Sequence, residues 1–577
     1  MFHPVSSKGR GRTALKYANN LPLTVLLLTQ NLHAASAGRV LAHGRLLREW
    51  VFHVLVAGWG EGELTPRLRD FPVLQFHGEL RSQWPLDAVV VYGEQDESTW
   101  QALLTLRERF GTRILTFPQD SSESPAVAAR ACPRGLEYVA NFDHLQRALK
   151  TGCGAALWSP ALQQTDVIPQ RSKPGRRDVV LFWKQNDLGL YGRRPDMVIR
   201  YLATRPDVGR IVVFDRPYSE QGLEKKQSDG WFNQNRYVYV GAMQRALSNC
   251  VEHREDCAVY ARTFVYRPER EGSEEYVQFV RESLAELDVN IAASLFIHYP
   301  LLQWGEELMA AFQPRAWLAD IVDDRRTWPH VNARQYEKYT HAYQVALAHS
   351  QFAMTNCEPV QAAMASYHDS IALLPNGCDE QPPLRVSTLN RQLIRELQQW
   401  TGPVFIYVGN LESKLDDALL EKIATTYTNA LLVLVGSAHT NRDILDLECY
   451  ANVRFSGVLP YAEANAVLQY AHVGLVPHRQ TALTEHMNPL KVSVYLTNRL
   501  PVVASQVSNI AEHPCILRAS DHETFLQQLD VALSLYQQRD EPRLQTAFLS
   551  FQQDNAWQTR LAPYFDALLT DESAVEH

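Results

Sequence analysis

The chain contains no run of 18 apolar residues, so nothing in it reads as a membrane-spanning helix. The longest apolar stretch near the N-terminus, Leu21 to Leu28, is broken by Pro22 and Thr24 and follows a polar segment carrying Lys8, Arg10, Arg12 and Lys16. With no small-residue cleavage site after it, this stretch reads as a buried strand rather than a secretory core. Cysteine is sparse. Eight are scattered over 577 residues with no CxxC, which argues against zinc sites and disulfides and for free thiols in a reducing cytoplasm. An excess of basic charge is also lacking: 56 Lys and Arg stand against 64 Asp and Glu, for a net charge of −8. No global field for nucleic acid or anionic lipid results, although a local patch stays open. Gly38 lies outside any GxGxxG, so a dinucleotide site is not expected.

What is present is globular: 46% hydrophobic and 21% charged residues exclude wholesale disorder. The dominant rhythm is a short apolar strand followed by a helical pattern. Strands are expected at Thr24–Leu28, His53–Ala57, Val73–Phe76, Ala88–Tyr92, Arg113–Phe117 and Ala155–Trp158. A second set is Val179–Trp183, Ile211–Phe214, Ser294–His298, Trp317–Val322 and Ala353–Asn356, and a third is Val404–Val408, Leu431–Val435, Val453–Ser456, Val473–Pro477 and Val502–Ala504. Helices such as Arg334–Ala348, Asp416–Thr426, Tyr461–Tyr470 and Leu490–Thr497 intervene. This alternation implies βαβ units and mostly parallel sheets. The polar, basic run Gln170–Arg177 reads as a linker, and Asp379–Pro383 opens a second junction. The expected organisation is a loose tail over 1–20 and three αβ units over 21–168, 176–378 and 384–565.

Chemistry concentrates in the third unit. Val404–Val408 runs into Gly409, where a missing side chain lets a ligand approach the backbone, and Lys414 follows where it can meet phosphate. Leu431–Val435 ends in Gly436 in the same way. After Val473–Pro477 a loop leads to Asn488, expected to cap a helix, with Pro489 in its first turn. The N–H groups of that terminus, with Lys491, can hold a diphosphate. In the second unit, His298 at a strand's carboxyl edge either orients a sugar or assists proton transfer, or else is a satisfied core histidine. Asp187, beside Asn186, is placed to accept a proton from an acceptor hydroxyl, or belongs to a solvated turn. Arg193 and Arg194 either bind an anionic acceptor or form a solvated face. Asp320, Asp323 and Asp324 invite a magnesium or manganese reading, but a structural role offset by Arg325 and Arg326 is preferred, and no metal site is expected.

The runs FIYVGNLESKLDDALLEKIA, LLVLVGS, NVRFSGVLPYAEANAVLQYAHVGLVPH and MNPLKVSVYLTNRLPVVAS resemble the nucleotide-sugar domain of GT-B glycosyltransferases, and are similar to the retaining family of polysaccharide and teichuronic-type transferases. VVLFWKQNDLGLYGRRPDMVIRYLA, HYPLLQ, ADIVDDRRTW and LLPNGCD resemble the acceptor domain of such enzymes, so the likeness covers about residues 176–560. It implies an α/β fold of GT-B architecture, two Rossmann-like domains facing a cleft, here with an extra N-terminal Rossmann-like αβ domain over 21–168. It also implies a nucleotide-sugar donor such as a UDP- or GDP-sugar, with no metal and no further cofactor. By carry-over, Gly409, Gly436, Val458, Glu485, His486, Asn488 and Lys491 fall where donor contacts lie, with Lys414 as a phosphate ligand. The sequence departs from the family at Val494, where a glutamate usually grips the ribose, and at Asn410, where an arginine is common. A charged hydrogen bond of about 1.5–3 kcal/mol is then missing unless Glu485 supplies it.

The resulting expectation is a cytoplasmic glycosyltransferase, with peripheral attachment at the inner face of the membrane left open. It would move a sugar to a hydroxyl of a glycan, lipid-linked or protein acceptor. Alternatives are a non-catalytic GT-B-like scaffold partnering an active transferase and a nucleotide-sugar epimerase. A homo-oligomer or a partner transferase is compatible with either enzyme or scaffold, and no specific nucleic-acid partner is expected.

Overall fold

A computed structural model of the chain describes residues 24–29, 53–59, 73–76, 88–92, 97–110, 113–117, 137–138, 176–219, 250–254, 257–266, 272–386, 390–438 and 441–570. They fall into two compact bodies: Met1–Pro169 with Met243–His253 and Val386–Gln392, and Gln170–Ala242 with Arg254–Arg385 and Leu393–His577. The strand expected at Ala155–Trp158, the loop around Gly38 and the tail over 1–20 lie outside the described residues.

The first body is built on strands β1 (Thr24–Thr29), β2 (His53–Trp59), β3 (Val73–Phe76), β4 (Ala88–Tyr92), β5 (Arg113–Phe117) and β6 (Glu137–Tyr138). They pair in the order 3-2-1-4-5-6, all parallel. This order is that of a doubly wound Rossmann-like sheet.

The second body holds two such sheets. The strands of its first half are β7 (Arg177–Phe182), β8 (Val208–Phe214), the short β9 (Tyr218–Ser219), β11 (Cys257–Arg262), β12 (Val265–Tyr266), β13 (Leu295–His298), β14 (Ala316–Ile321), β15 (Phe352–Thr355) and β16 (Ile371–Leu373). The intervening β10 (Cys250–Arg254) lies up to His253 in the first body, where Cys250 and Val251 run antiparallel to Leu74 and Val73 of β3. The main sheet of this half is ordered β11-β8-β7-β13-β14-β15-β16 and is parallel throughout. Its central strands are buried on both faces, which is why Val179–Phe182 reads as a continuous apolar run; the one charge in Ala316–Ile321, Asp320, is buried against Arg194.

The C-terminal half carries β17 (Val404–Val408), β18 (Leu431–Val435), β19 (Val453–Gly457), β20 (Val473–Val476), β21 (Val502–Ser505) and β22 (Ile516–Ala519), in the order β19-β18-β17-β20-β21-β22. Several of its helices start on side-chain caps: Asp416 accepts from the Leu419 N–H at 3.0 Å, and Asp521 from the Thr524 N–H at 2.8 Å. Both sheets of the second body therefore have Rossmann order, as expected for two Rossmann-like domains. The chain does not part cleanly between them. The last helix, Trp557–Thr570, returns to the middle sheet, where Leu561, Phe565 and Leu568 pack with Tyr201, Leu202 and Val213.

Strands β6, β9, β10 and β12 escaped the sequence reading, as did β11, β16 and β22. The segments of the last three, CAVYAR, IAL and ILRA, are short or carry a charge, and β16 and β22 lie at sheet edges.

Candidate functional site

The site lies at the carboxyl edges of the two parallel sheets of the second body, where open α/β sheets leave room for ligands. In the C-terminal half, the ends of β17, β18 and β19 are tied by backbone hydrogen bonds. Gly409 N–H donates to Val435 C=O at 2.9 Å, and Gly436 N–H to Gly457 C=O at 2.9 Å. Gly409 and Gly436 have φ of 145° and 147°, which side-chain-bearing residues rarely adopt. A Cβ at Gly436 would sit 1.8 Å from the Gly409 carbonyl oxygen, so the two strand ends approach only because both residues are glycine.

Over Gly409 lies Lys491, the second residue of the helix Leu490–Thr497. A Cβ at Gly409 would come 3.3 Å from its Cε. The ammonium stands 4.7 Å from the Tyr407 ring centroid and 3.3 Å from His478 Nε2. Lys414, in the loop after β17, is held by its backbone, whose C=O accepts from the Arg479 N–H at 2.9 Å. From the middle sheet, Lys184 follows β7 and donates to the Val322 C=O at 3.2 Å. Asp323, just past β14, adopts φ 61°, a left-handed conformation that Asp tolerates better than most.

These charges act on one another. Burial pushes the Lys491 ammonium well below the usual lysine range, the neighbouring Lys414 adds to this, and Asp323 opposes it. Lys414 is lowered by burial and by Arg193, against Asp323. Lys184 is lowered by burial, with Asp323 and Asp320 pulling the other way. Asp323 itself is raised by burial despite Lys184 and Lys414. Three lysines thus share one carboxylate, where burial weakens the screening between them.

The residues singled out in the sequence are placed as follows. Asp187 is buried, accepts from the Trp183 indole at 2.8 Å and forms a salt bridge with Arg193. Asn186 is buried and donates to the Arg216 C=O. Val458 is buried past the end of β19. Glu485 is exposed at the end of the short helix Ala482–Glu485. His486 is half-buried, its Nδ1 2.8 Å from the Ala482 C=O.

Three expectations are corrected. His298 does not face the cleft: it is fully buried, with Nε2 2.9 Å from Ser350 Oγ and its ring edge-on to Trp317. Burial, with a small contribution from His349, pushes its pKa down to about 3, so it is a neutral core imidazole. Asn488 does not cap the following helix; Pro489 occupies the N-cap. Its side chain is taken up instead by Asn376, whose N–H donates to Asn488 Oδ1 at 2.8 Å, and by the Asn509 C=O, which accepts from Asn488 Nδ2 at 2.7 Å. Arg194 neither binds an acceptor nor faces solvent: its Nε bonds both Asp320 oxygens at 2.9 and 2.8 Å, and both residues are buried. That pair, with Asp324 capping its own turn and holding Arg326 at 2.9 Å, ties Asp320 and Asp324 into the fold, whereas Asp323 sits among the lysines. No group of metal-ligating side chains is found among the described residues.

Sequence reading missed Lys184, His478 and Tyr407. Lys184 follows β7, and His478 follows β20 by two residues, so the strand-edge rule that flagged Gly409 would have flagged them too.

Residues 402–534 match the family model described as glycosyl transferases group 1. The C-terminal sheet, with Lys414 and Lys491 at its edge, therefore carries a glycosyltransferase domain. No curated protein matches the chain significantly. Among solved structures, sucrose-phosphate synthase from Thermosynechococcus elongatus is similar at 15% identity and a TM-score of 0.47, over 68% of this chain and 99% of that one. HepE of Anabaena, solved with UDP and glucose, is similar at 12% identity and a TM-score of 0.44, over 68% and 100%. An α,α-trehalose-phosphate synthase (UDP-forming) from Burkholderia xenovorans is similar at 12% and 0.43, over 68% and 100%. Likeness this distant says nothing of the substrates here.

Proposed function

We propose that the protein moves a sugar from a nucleotide-sugar donor to a hydroxyl of a glycan, lipid-linked or protein acceptor, with retention at the anomeric carbon and without a metal ion. The observation that carries this reading is the convergence of Lys184, Lys414 and Lys491 on Asp323 beside Gly409 and Gly436. When all three lysines are protonated, two positive charges are left in excess, the number that a diphosphate brings. The lysines would meet the negative charge that builds on the diphosphate as the glycosidic bond breaks, an electrostatic role that a divalent cation would otherwise fill. Gly436 lets the strand ends close up and Gly409 lets Lys491 lie over them, at the carboxyl edge where the donor would sit, with Asp187 on the acceptor side.

Lys491→Ala and Lys414→Ala are each expected to lower donor turnover by about 10²-fold or more, as loss of a single charge-stabilising donor does elsewhere. Unchanged turnover in purified Lys491→Ala would overturn the reading. Activity surviving chelation and an NMR-determined product anomer would test the metal-free and retaining parts separately.

A second reading, a non-catalytic scaffold partnering an active transferase, is favoured by one feature. Val494, half-buried on the helix that carries Lys491, brings no acceptor for ribose hydroxyls. Calorimetry with UDP-, GDP- and CMP-sugars separates the two, since a scaffold would bind none.

A further inference from the structure

We infer that His478 is a positioning residue for the diphosphate site, acting as a fixed neutral acceptor that aims the Lys491 ammonium. The inference rests on the donor-binding reading above and adds a residue to it. His478 follows β20, where its N–H donates to the Val476 C=O at 2.9 Å and its backbone bridges Leu415 on the loop that carries Lys414. The side chain is 2% exposed and its Nε2 is 3.3 Å from Lys491 Nζ.

With Lys491 protonated, that contact has one direction. Two cations would repel, and the ammonium over the face of Tyr407 is the arrangement in which a positive charge is attracted to the ring. Lys491 therefore donates and His478 accepts through the Nε2 lone pair, which leaves the imidazole proton on Nδ1. Nδ1 is buried and has no hydrogen-bond partner among the described residues. A buried unpaired donor costs free energy, and such groups in native structures tend to mark a site rather than a stable core.

The geometry fixes the lysine on three sides: the Tyr407 ring beneath it, His478 beside it, and Gly409 leaving the space its Cε occupies. One of its three N–H bonds is spent on His478, and the others are free to turn toward an anion. The charged and titratable groups around the pair are few. Tyr407 comes from β17, its hydroxyl donating to the Asn410 C=O at 3.0 Å, and Lys414 from the loop after it. Asp323 comes from the middle sheet. Burial, Lys491 and Lys414 together hold His478 well below its usual pKa, so it stays a neutral acceptor across the physiological range.

The test compares the full chain with His478→Leu, His478→Asn, His478→Gln and Lys491→Ala, with UDP, GDP and inorganic pyrophosphate titrated in calorimetry from pH 6 to pH 9. Leu has no acceptor, and Asn places its polar atoms near the position of Nδ1. Gln reaches the position of Nε2. Binding of the tightest probe is expected to weaken about tenfold in the Leu and Asn variants, with Gln within about threefold of wild type. Because Lys491 would hold its proton less firmly without an acceptor, the loss of affinity at high pH is expected to begin at a lower pH in the Leu and Asn variants. A merely structural histidine would not move that limb.

Wild-type affinity and pH profile in His478→Leu or His478→Asn, alongside lost binding in Lys491→Ala, would overturn the inference and leave the donor site standing. Wild-type affinity in Lys491→Ala would overturn the site itself. If the Leu variant does not fold, Asn and Gln decide the matter: equal affinities in those two would sink the inference.

Discussion

At the scale of single residues, the strand-edge positions did most to define the site, and side-chain direction was what the sequence could not give. Gly409 and Gly436 were singled out because each ends a parallel strand, and Lys491 because it lies in the first turn of a helix. His298 sits at an equally suggestive place, yet one step along a strand reverses the face. Its ring goes to Ser350 and Trp317, while the adjacent Tyr299 turns to Trp183. The burial of His298 has a measurable consequence. Its folded pKa of about 3 lies below the 6.5 of the unfolded chain, so the folded state binds fewer protons between those values. The stability it contributes is complete above pH 6.5 and is lost as pH falls toward 3, by at most about 1.4 kcal/mol per pH unit. Urea unfolding of His298→Gln across that range is expected to show a shallower acid limb by close to one proton. An unchanged slope would contradict the neutral core assignment.

Whole elements were easier to find than to bound. Long apolar runs such as Val404–Val408 and Leu431–Val435 gave their strands outright, because strands covered on both faces have no polar alternation to confuse them. The loop before Leu490–Thr497 was misread for an equally physical reason. Asn is a favoured cap, but here a tertiary partner outcompetes the local one. Asn488 binds Asn376 twice, Oδ1 accepting from the N–H and the C=O from Nδ2, both at 2.8 Å, and Asn509 closes the loop by donating to the Glu485 C=O at 2.8 Å. These three asparagines hold the helix that presents Lys491. Asn488→Ala leaves the partly buried Asn376 N–H without that acceptor and is expected to cost about 1–3 kcal/mol. It should also speed hydrogen exchange in residues 482–497 relative to the rest of the C-terminal sheet. Uniform exchange across the sheet would count against the clamp.

At the scale of the molecule, three αβ units with mostly parallel sheets were readable from the strand–helix rhythm, whereas the order of the strands and the path of the chain between sheets were not. Nothing in a helical pattern says which sheet it will cover, and Trp557–Thr570 covers the middle one. Phe565→Ala is accordingly expected to destabilise by about 3–5 kcal/mol. The loss of exchange protection should be concentrated in β7 and β8, with β17 and β18 largely spared. The reverse distribution would place the helix wrongly. Where the chain crosses back, Cys378 N–H donates to the Asn555 C=O at 2.8 Å and Trp557 N–H to the Cys378 C=O at 3.0 Å, so the outgoing and returning segments run side by side. That return also dictates an order of completion during synthesis. The middle sheet leaves the ribosome before the C-terminal one, yet the surface around Tyr201 and Leu202 waits for residues 557–570, which are made after every strand of the C-terminal sheet. The C-terminal sheet can close on itself while its predecessor still has an apolar flank bare. In the cell that interval is the one in which a nascent chain of this kind has most need of a chaperone.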